Sequence, residues 1–246
     1  MEIARWNRIQ TGGGHLIRHA EGLRLLTVGV RRDTYTDAQI DDYTRLPRRH
    51  FPWRAPLRME LRARASGPLV GTAGFGFWNN PLTPLGGFPA LPSAVWFFHA
   101  SPPSHLPLAG GIAGNGWVCM TIDATTPRAG RWAPLAPVVL LANNLPAIER
   151  RLWPLVQRDL GIAIQPIEAP AETWQTYALD WQNDQVRFFV NGALTLETPF
   201  SPRGPLGFVA WVDNQRAVAT PRGRLGWGLL DAPAPQWLDI QGLLLR

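Results

Sequence analysis

The sequence contains no lysine, only one cysteine and no apolar run long enough to cross a membrane. The single cysteine, Cys119, excludes an internal disulfide. A membrane-spanning helix needs roughly 20 consecutive apolar residues, so no membrane span is expected. The first residues show no basic leader followed by an apolar segment. This favours a cytoplasmic location, although a mature secreted form would have the same sequence.

The formal net charge of +6 comes entirely from arginine. The arginines occur singly and in pairs, as in Arg31-Arg32, Arg48-Arg49 and Arg150-Arg151, and they form no continuous basic stripe. Nucleic-acid-binding domains usually concentrate their positive charge on one face. We therefore expect solvent-facing arginines and no nucleic-acid partner.

Several catalytic signatures are also missing. There is no G-x-S-x-G, and the one glycine-rich strand, G-F-G-F-W-N, lacks the third glycine and the following helix of a dinucleotide site. His99 and His105 have no third ligand nearby in sequence, which disfavours zinc. Cys119 lies within V-C-M-T-I, an apolar strand pattern that predicts a buried, inert thiol.

The strongest structural pattern covers residues 174–215. Tyr177, Leu179 and Trp181 alternate with smaller or polar residues, the period of a half-buried strand. Asn191-Gly192 separates two further apolar strands and is typical of a type I′ hairpin turn. The segment is therefore predicted to form consecutive antiparallel strands.

The rest of the chain has the same all-β character. Leu57–Ala65 alternates apolar and charged residues, and 24 glycines and 24 prolines are spread along the whole sequence. Helical spacing appears over residues 145–160, where Pro154 predicts a kink or a break. A short helical turn is also predicted over residues 36–43. We expect one β-sandwich domain, residues 1–246, with one inserted helix.

These patterns resemble a known superfamily. W-x-x-Y-A-L-D-W, a strand ending in F-F-V-N-G, a Pro-rich turn and an apolar strand resemble the second half of concanavalin A-like lectin/glucanase domains. Residues 19–27, 57–65 and 237–245 resemble their early, outer-sheet and closing strands. The resemblance implies a jelly-roll sandwich of two curved antiparallel sheets, with the ligand held on the concave face.

One motif of that superfamily is absent. Family 16 glycoside hydrolases carry Glu-x-Asp-x-x-Glu on a concave strand, and retaining hydrolysis needs two carboxyl groups about 5–5.5 Å apart. The matching strand here, residues 93–99, contains no carboxylate, and no Asp or Glu occurs between Glu60 and Asp123. Glycosidase activity of that kind is not expected, and the groove is expected to lack an acidic pair.

Aromatic and amide side chains take the place of the carboxylates. Such groups suit stacking on a sugar ring combined with hydrogen bonds, or an apolar ring-bearing ligand. The alternatives are that the aromatic residues fill the core and that the amides cap turns. The candidate ligand-binding residues are Phe77, Trp78, Asn79, Asn80, Trp96, Phe98, His99, Trp211, Asp213, Asn214 and Gln215.

Three functions remain open on this evidence. The favoured hypothesis is a non-hydrolytic domain that binds a carbohydrate or another ring-bearing small ligand in an aromatic cleft on its concave face. The second is an enzyme in which Asp213 and His99 form an acid–base pair. The third is a protein that docks to a partner through the inserted helix. The resemblance also suggests a structural calcium ion held by Asp239 and Glu21. No other cofactor is expected, and the oligomeric state stays open.

Overall fold

The computed structural model describes residues 6–20, 22–82, 85 and 89–246, which form two seven-stranded antiparallel sheets. The first sheet contains β1 (Asn7–Thr11), β4 (Asp37–Asp41), β6 (Thr72–Trp78), β7 (Ser93–Ala100), β8 (Gly116–Asp123), β9 (Ala163–Pro166) and β13 (Gly207–Asp213). The second contains β2 (Gly14–His19), β3 (Gly22–Thr27), β5 (Leu57–Ala65), β10 (Gln175–Trp181), β11 (Val186–Val190), β12 (Ala193–Thr198) and β16 (Gln236–Leu245).

The two sheets form a sandwich. The strand order is β1-β4-β13-β6-β7-β8-β9 in the first sheet and β12-β11-β10-β5-β16-β3-β2 in the second. A separate hairpin, β14 (Gln215–Ala219) and β15 (Leu225–Leu229), follows β13 directly. The prediction of an all-β jelly-roll sandwich is confirmed.

The core lies between the sheets and is rich in aromatic side chains. On β6, Phe75 and Phe77 point inward, and Phe77 contacts Trp181 of the opposite sheet with ring centroids 5.7 Å apart. Cys119 is also fully buried, and its burial raises the pKa of the thiol to about 12. The thiolate is therefore disfavoured at neutral pH, as the apolar strand pattern predicts.

The hairpin prediction at Asn191-Gly192 is also confirmed. Asn191 and Gly192 have φ angles of 51° and 81°, and Val190 pairs with Ala193 on the next strand. Two successive residues with positive φ are what a type I′ turn requires. The turn fixes the register of β11 and β12 at one edge of the second sheet.

The helical turn predicted over residues 36–43 is wrong. Asp37–Asp41 forms β4, which pairs with β1 on one side and β13 on the other. Ala38 and Ile40 are buried in the core, so the segment has the two-residue period of a strand. Strand pairing overrides the local capping signal at Thr36 and places the aspartates of this segment on the outer face.

The inserted segment contains three helices among the described residues, where the sequence predicted one. They are α1 (Pro127–Gly130), α2 (Ala136–Ala142) and α3 (Pro146–Asp159). Thr126 Oγ1 accepts a hydrogen bond from Ala129 N and caps α1, a short-range signal that the apolar periodicity does not contain. Of the kink or break predicted at Pro154, the break does not occur, because α3 continues through this residue. No helix in the described part of the chain has the length and apolarity to span a bilayer.

Removal of the Phe77 ring tests this arrangement of the core. Because Phe77 is fully buried between the sheets, Phe77→Ala should lower the free energy of unfolding by about 3–5 kcal/mol through lost burial and cavity formation. Leu194→Ala, at an exposed position on β12, should change it by less than about 0.5 kcal/mol. Urea unfolding measures both, and equal effects of the two variants would contradict the assignment of Phe77 to the core.

Candidate ligand-binding groove

The outer face of the first sheet carries a groove that crosses its central strands. Its volume is about 220 Å³, and side chains from β4, β6, β7, β13 and β14 line it, together with the segment before β4. Because side chains alternate along a strand, these residues lie on the face opposite the core. The lining residues are Tyr35, Gln39, Thr72, Trp78, Trp96, Phe98, Val209, Trp211, Asp213, Gln215 and Ala217.

Four aromatic rings form the floor of this groove. Trp96 lies at the centre, with ring centroids 5.4 Å from Phe98, 5.3 Å from Trp211 and 5.6 Å from Trp78. Trp96 and Phe98 are stacked at 20°. The indole N–H of Trp78 donates a hydrogen bond to the hydroxyl of Tyr43 over 2.6 Å, which fixes the outer ring. The floor is therefore a continuous apolar platform.

Two glycines make room for this platform. Gly74 and Gly76 occupy outward positions of β6, between Thr72 and Trp78. A Cβ on Gly74 would lie 2.8 Å from the Trp211 ring, and one on Gly76 would lie 2.6 Å from the Trp96 backbone and Cβ. Any larger residue at either position would displace the neighbouring tryptophan.

One end of the groove is polar and contains Asp213. Its Oδ1 accepts hydrogen bonds from Thr72 Oγ1 (2.7 Å), Thr72 N (3.2 Å) and Gln215 N (3.0 Å), and its Oδ2 lies 3.5 Å from the Tyr35 hydroxyl. Thr72 Oγ1 also accepts the indole N–H of Trp211 over 3.0 Å. The aromatic floor and the carboxyl group are thus joined through one hydroxyl.

A second carboxyl group lies beside the first. Asp37 of β4 is the direct cross-strand partner of Asp213, and both side chains are on the outer face. Cross-strand partners on one face have Cβ atoms about 4.5–5.5 Å apart. A buried carboxyl pair therefore borders the groove, and Asp213 is the member of the pair that lines it, so the expectation that no acidic pair lies inside the groove stays a prediction. The sequence search considered the strand of residues 93–99, whereas the pair is formed by two other strands.

The surroundings of the two carboxyl groups favour their protonated forms. Burial raises the pKa of Asp213 to about 6. Burial, followed by the negative charges of Asp213 and Asp41, raises the pKa of Asp37 well above its usual range. Asp37 Oδ1 is buried and has no hydrogen-bond partner among the described residues. Two like charges on neighbouring strands disfavour each other in a desolvated site, so the pair keeps a proton to higher pH than an isolated aspartate would.

The third aspartate of this region, Asp41, has a structural role. Its two carboxylate oxygens accept hydrogen bonds from Asn7, Gln39, Tyr43 and Thr44. These bonds close the turn after β4 and hold Tyr43 against the sheet. A Cβ on Gly207 would lie 2.2 Å from the Tyr43 ring, so this position of β13 also has to be glycine.

The structure does not bring His99 and Asp213 together. His99 lies on the inner face of β7, where its ring centroid is 5.1 Å from that of Trp117 and its Nε2 is 3.3 Å from the Leu69 carbonyl oxygen. Burial lowers the pKa of His99. The alternation of side chains along β7 separates His99 from Trp96 and Phe98, so the hypothesis of an acid–base pair with Asp213 is not supported.

Four other predicted ligand-binding residues also lie outside the groove. Phe77 is in the core. Asn79 is buried, and its amide bridges Leu91 O and Ser93 N. Asn80 has φ 38° in the turn after β6, as asparagine tolerates. Asn214 is fully buried and bonds Thr36 N, Arg31 O, Thr34 O and Leu230 O. The amides of Asn79 and Asn214 therefore hold loops. The predicted residues that do line the groove are Trp78, Trp96, Phe98, Trp211, Asp213 and Gln215.

The calcium site suggested by the resemblance does not fit Asp239. This carboxylate is buried and accepts hydrogen bonds from Arg24 (2.7 and 2.9 Å) and Arg64 (3.2 Å). Two guanidinium groups already neutralise it, which leaves a cation no electrostatic advantage. Glu21 lies outside the described residues. No cluster of three or more potential metal-ligating side chains occurs in the described part of the chain.

Sequence reasoning missed Tyr35, Asp37, Gln39 and Thr72. The alternation of Asp37, Gln39 and Asp41 with Ala38 and Ile40 is a strand signal that would have placed these polar side chains on one face. The cross-strand pairing of Asp37 with Asp213 cannot be deduced from spacing, because the two residues are far apart in the sequence.

No family model matches this sequence, and no similar sequence is found among curated proteins. Among solved structures, a GlcNAcα1-4Gal-releasing endo-β-galactosidase from Clostridium perfringens matches 98% of this chain and 57% of its own length, with a TM-score of 0.54 and 11% identity. A Bacillus licheniformis β-glucanase matches 97% of this chain and 90% of its own, with a TM-score of 0.48 and 9% identity. A sialidase matches 100% of this chain and 17% of its own, with a TM-score of 0.49 and 10% identity. At these identities the likeness concerns the fold alone, which is a jelly-roll sandwich.

The raised pKa of Asp213 predicts a specific pH dependence of stability. In the unfolded chain an aspartate titrates near pH 3.9, whereas Asp213 in the folded protein titrates at about 6. The folded state therefore binds more protons between these values. The contribution of Asp213 to the free energy of unfolding is fully present below about pH 4 and is lost as pH rises through about 6, by up to about 3 kcal/mol.

Urea unfolding at pH 4, 5, 6 and 7 measures this contribution. Asp213→Asn should flatten the profile relative to the wild type, and Glu172→Gln, at an exposed position, should leave it unchanged. A profile that Asp213→Asn does not alter would show that the carboxyl group titrates normally.

Proposed function

We propose that the outer-face groove binds a small ligand with a hydroxylated ring, most simply a carbohydrate. The observation that carries the proposal is the joining of a flat aromatic platform to a polar end within one groove. Trp211 provides both features, since its ring is part of the platform and its N–H bonds the hydroxyl that holds Asp213.

The aromatic platform suits the apolar faces of a sugar ring. Sugar C–H groups stack on indole rings, and each such contact adds to the free energy gained from burial. Trp96 and Trp78 are only partly buried by the protein itself, so they keep surface available for a ligand. A ligand that covers them removes apolar surface from water, at about 25 cal/mol per Å².

The polar end suits hydroxyl groups. Gln39, Gln215 and Tyr35 are partly buried and line the groove next to Asp213. Amide, phenol and carboxyl groups together supply donors and acceptors at fixed positions, which is how small-ligand sites obtain specificity. The similar fold of an endo-β-galactosidase, an enzyme that acts on a carbohydrate by its name, is consistent with this class of ligand.

Replacement of groove tryptophans should weaken binding. A glycan array identifies a binding saccharide, and calorimetry then measures its affinity. We expect Trp211→Ala and Trp96→Ala each to lower the affinity at least about tenfold, which corresponds to about 1.4 kcal/mol of lost stacking and burial.

Trp237→Ala is the matched control, because Trp237 is on β16 in the other sheet, where it lies under Arg24. This variant should bind the saccharide as the wild type does. Thermal unfolding of every variant checks that it is folded. Unchanged affinity in both folded groove variants would contradict the proposal.

A second candidate function is acid–base catalysis on the bound ligand, and the carboxyl pair favours it. Burial and mutual repulsion favour a pair that holds one proton between its two carboxyl groups, so one base and one acid lie side by side. Pairs of this kind are frequent at functional sites, although buried carboxyl pairs also occur in purely structural positions. Asp213 lines the groove directly, which makes it the base in this hypothesis.

Isosteric substitution separates binding from catalysis. Asp213→Asn keeps the shape of the side chain but removes the base. If the groove is catalytic, this variant should bind the saccharide found on the array with an affinity within about threefold of that of the wild type. Its rate of product formation, measured by chromatography, should fall by at least about 100-fold. If the wild type binds the saccharide and releases no product from it, the groove is a binding site only.

Docking of a partner through the inserted helix stays a prediction. α2 exposes Val138 and Leu141, which are 66% and 74% accessible, and α3 exposes Leu155. Exposed apolar side chains on neighbouring helices are typical of contact surfaces. The groove nevertheless offers the more specific chemistry, because it combines shape, aromatic rings and polar groups in one place.

A further inference from the structure

A second cavity adjoins the groove on the same face of the first sheet. Its volume is about 210 Å³, and it lies over β7, β8 and β9. Its floor is formed by outward-pointing side chains of β8, namely Val118, Met120 and Ile122, and its wall by Leu106, Leu108 and Ile112 of the loop between β7 and β8. None of the residues that line it is charged.

The wall of this second cavity is anchored to other elements. Trp153 of α3 donates its indole N–H to Leu108 O over 2.9 Å. His105 pairs with β14 through backbone hydrogen bonds to Ala217 and Ala219. Leu106 N bonds Gly114 O over 2.7 Å and closes the loop on itself. The inserted helix and the β14–β15 hairpin therefore hold the apolar wall in place.

The two cavities are adjacent and share two lining residues. Trp96 and Phe98 line both of them, so the two rings form a shared floor. The polar end lies over β4 and β13, and the apolar end lies over β8 and β9, with β6 and β7 between. Neighbouring strands are about 4.8 Å apart, so β13 and β8 are separated by roughly 14 Å. We call the groove and the second cavity together the trough. The trough is polar at one end and apolar at the other.

From this polarity we infer the class of ligand: an amphiphile in which a hydroxylated ring carries an apolar chain or an apolar ring system. The inference rests on the proposed function, because the hydroxylated ring occupies the groove over Trp96 and Trp211. The apolar part crosses Phe98 and fills the cavity bounded by Val118, Met120 and Ile112. A free oligosaccharide would leave this apolar cavity in contact with water, at a cost that an alkyl chain removes.

Matched glycosides test this assignment. The probes are methyl and n-octyl glycosides of glucose, galactose and mannose, used below the micellar concentration, with n-octanol as the chain alone. Calorimetry measures each dissociation constant. Each buried methylene group contributes about 0.8 kcal/mol, which is about fourfold in affinity, so burial of three or more should make the octyl glycoside at least about 60-fold tighter than its methyl partner.

Two variants of the residues that line the second cavity test whether the octyl chain binds there and gives the octyl glycosides their higher affinity. Ile112→Asp places a charge in the loop wall at a partly exposed position, and Val118→Phe fills the floor. Either folded variant should remove most of the octyl advantage and leave methyl glycoside affinity within about twofold. Leu194→Asp, on an exposed position of β12, is the control and should change neither.

The outcomes separate this inference from the proposed function. An octyl advantage that Ile112→Asp, Val118→Phe and Trp211→Ala reduce supports an amphiphile that spans the trough. Equal methyl and octyl affinities that depend on Trp211 overturn the amphiphile and leave the carbohydrate groove intact. Binding of n-octanol and octyl glycosides without any effect of Trp211→Ala also overturns the inference, since the ring then has no site. The same holds if no probe binds while the array finds an oligosaccharide that binds.

Discussion

The absence of side chains at Gly74 and Gly76 is the constraint on which the outer face depends. β6 is the central strand of the first sheet, with β13 on one side and β7 on the other. Because these two outward positions of β6 carry no side chain, Trp211 from β13 and Trp96 from β7 lean across the strand, and their ring centroids are 5.3 Å apart. A side chain at either glycine would separate the two rings and divide the groove.

The alternation of side chains along the strands also determines where the carboxyl groups lie. The inward row of the first sheet is apolar and packs against the second sheet, while the outward row of β4 and β13 contributes Asp37 and Asp213 at one end of the aromatic floor. Burial beside aromatic rings raises the pKa of both carboxyl groups, so the electrostatics of this end follow from its position in the fold. A proton shared near an apolar platform suits a neutral, hydroxyl-bearing ligand better than an anion.

The strands and turns of the sandwich could be predicted from the sequence because each is determined by residues that are close together in the chain. Asn191-Gly192 and the alternation in Leu57–Ala65 needed no knowledge of distant residues. The site was only partly predictable, since alternation shows that Trp96 and Phe98 share a face of β7 but does not tell which face is the core. His99 was assigned to the groove for this reason. The acidic pair was missed because it joins β4, mistaken for a helical turn, to a strand that lies far away in the chain.

The central claim is that the platform over the two glycines is where a ligand binds, and indole N–H resonances report on it directly. The twelve tryptophans give separate signals in a ¹H–¹⁵N spectrum, assigned by single Trp→Phe substitutions. On titration with a saccharide that the array identifies, or with n-octyl glucoside, the signals of Trp78, Trp96 and Trp211 should shift while those of Trp174 and Trp237 stay in place. Shifts confined to Trp174 and Trp237 would place the ligand on the other sheet and contradict the account.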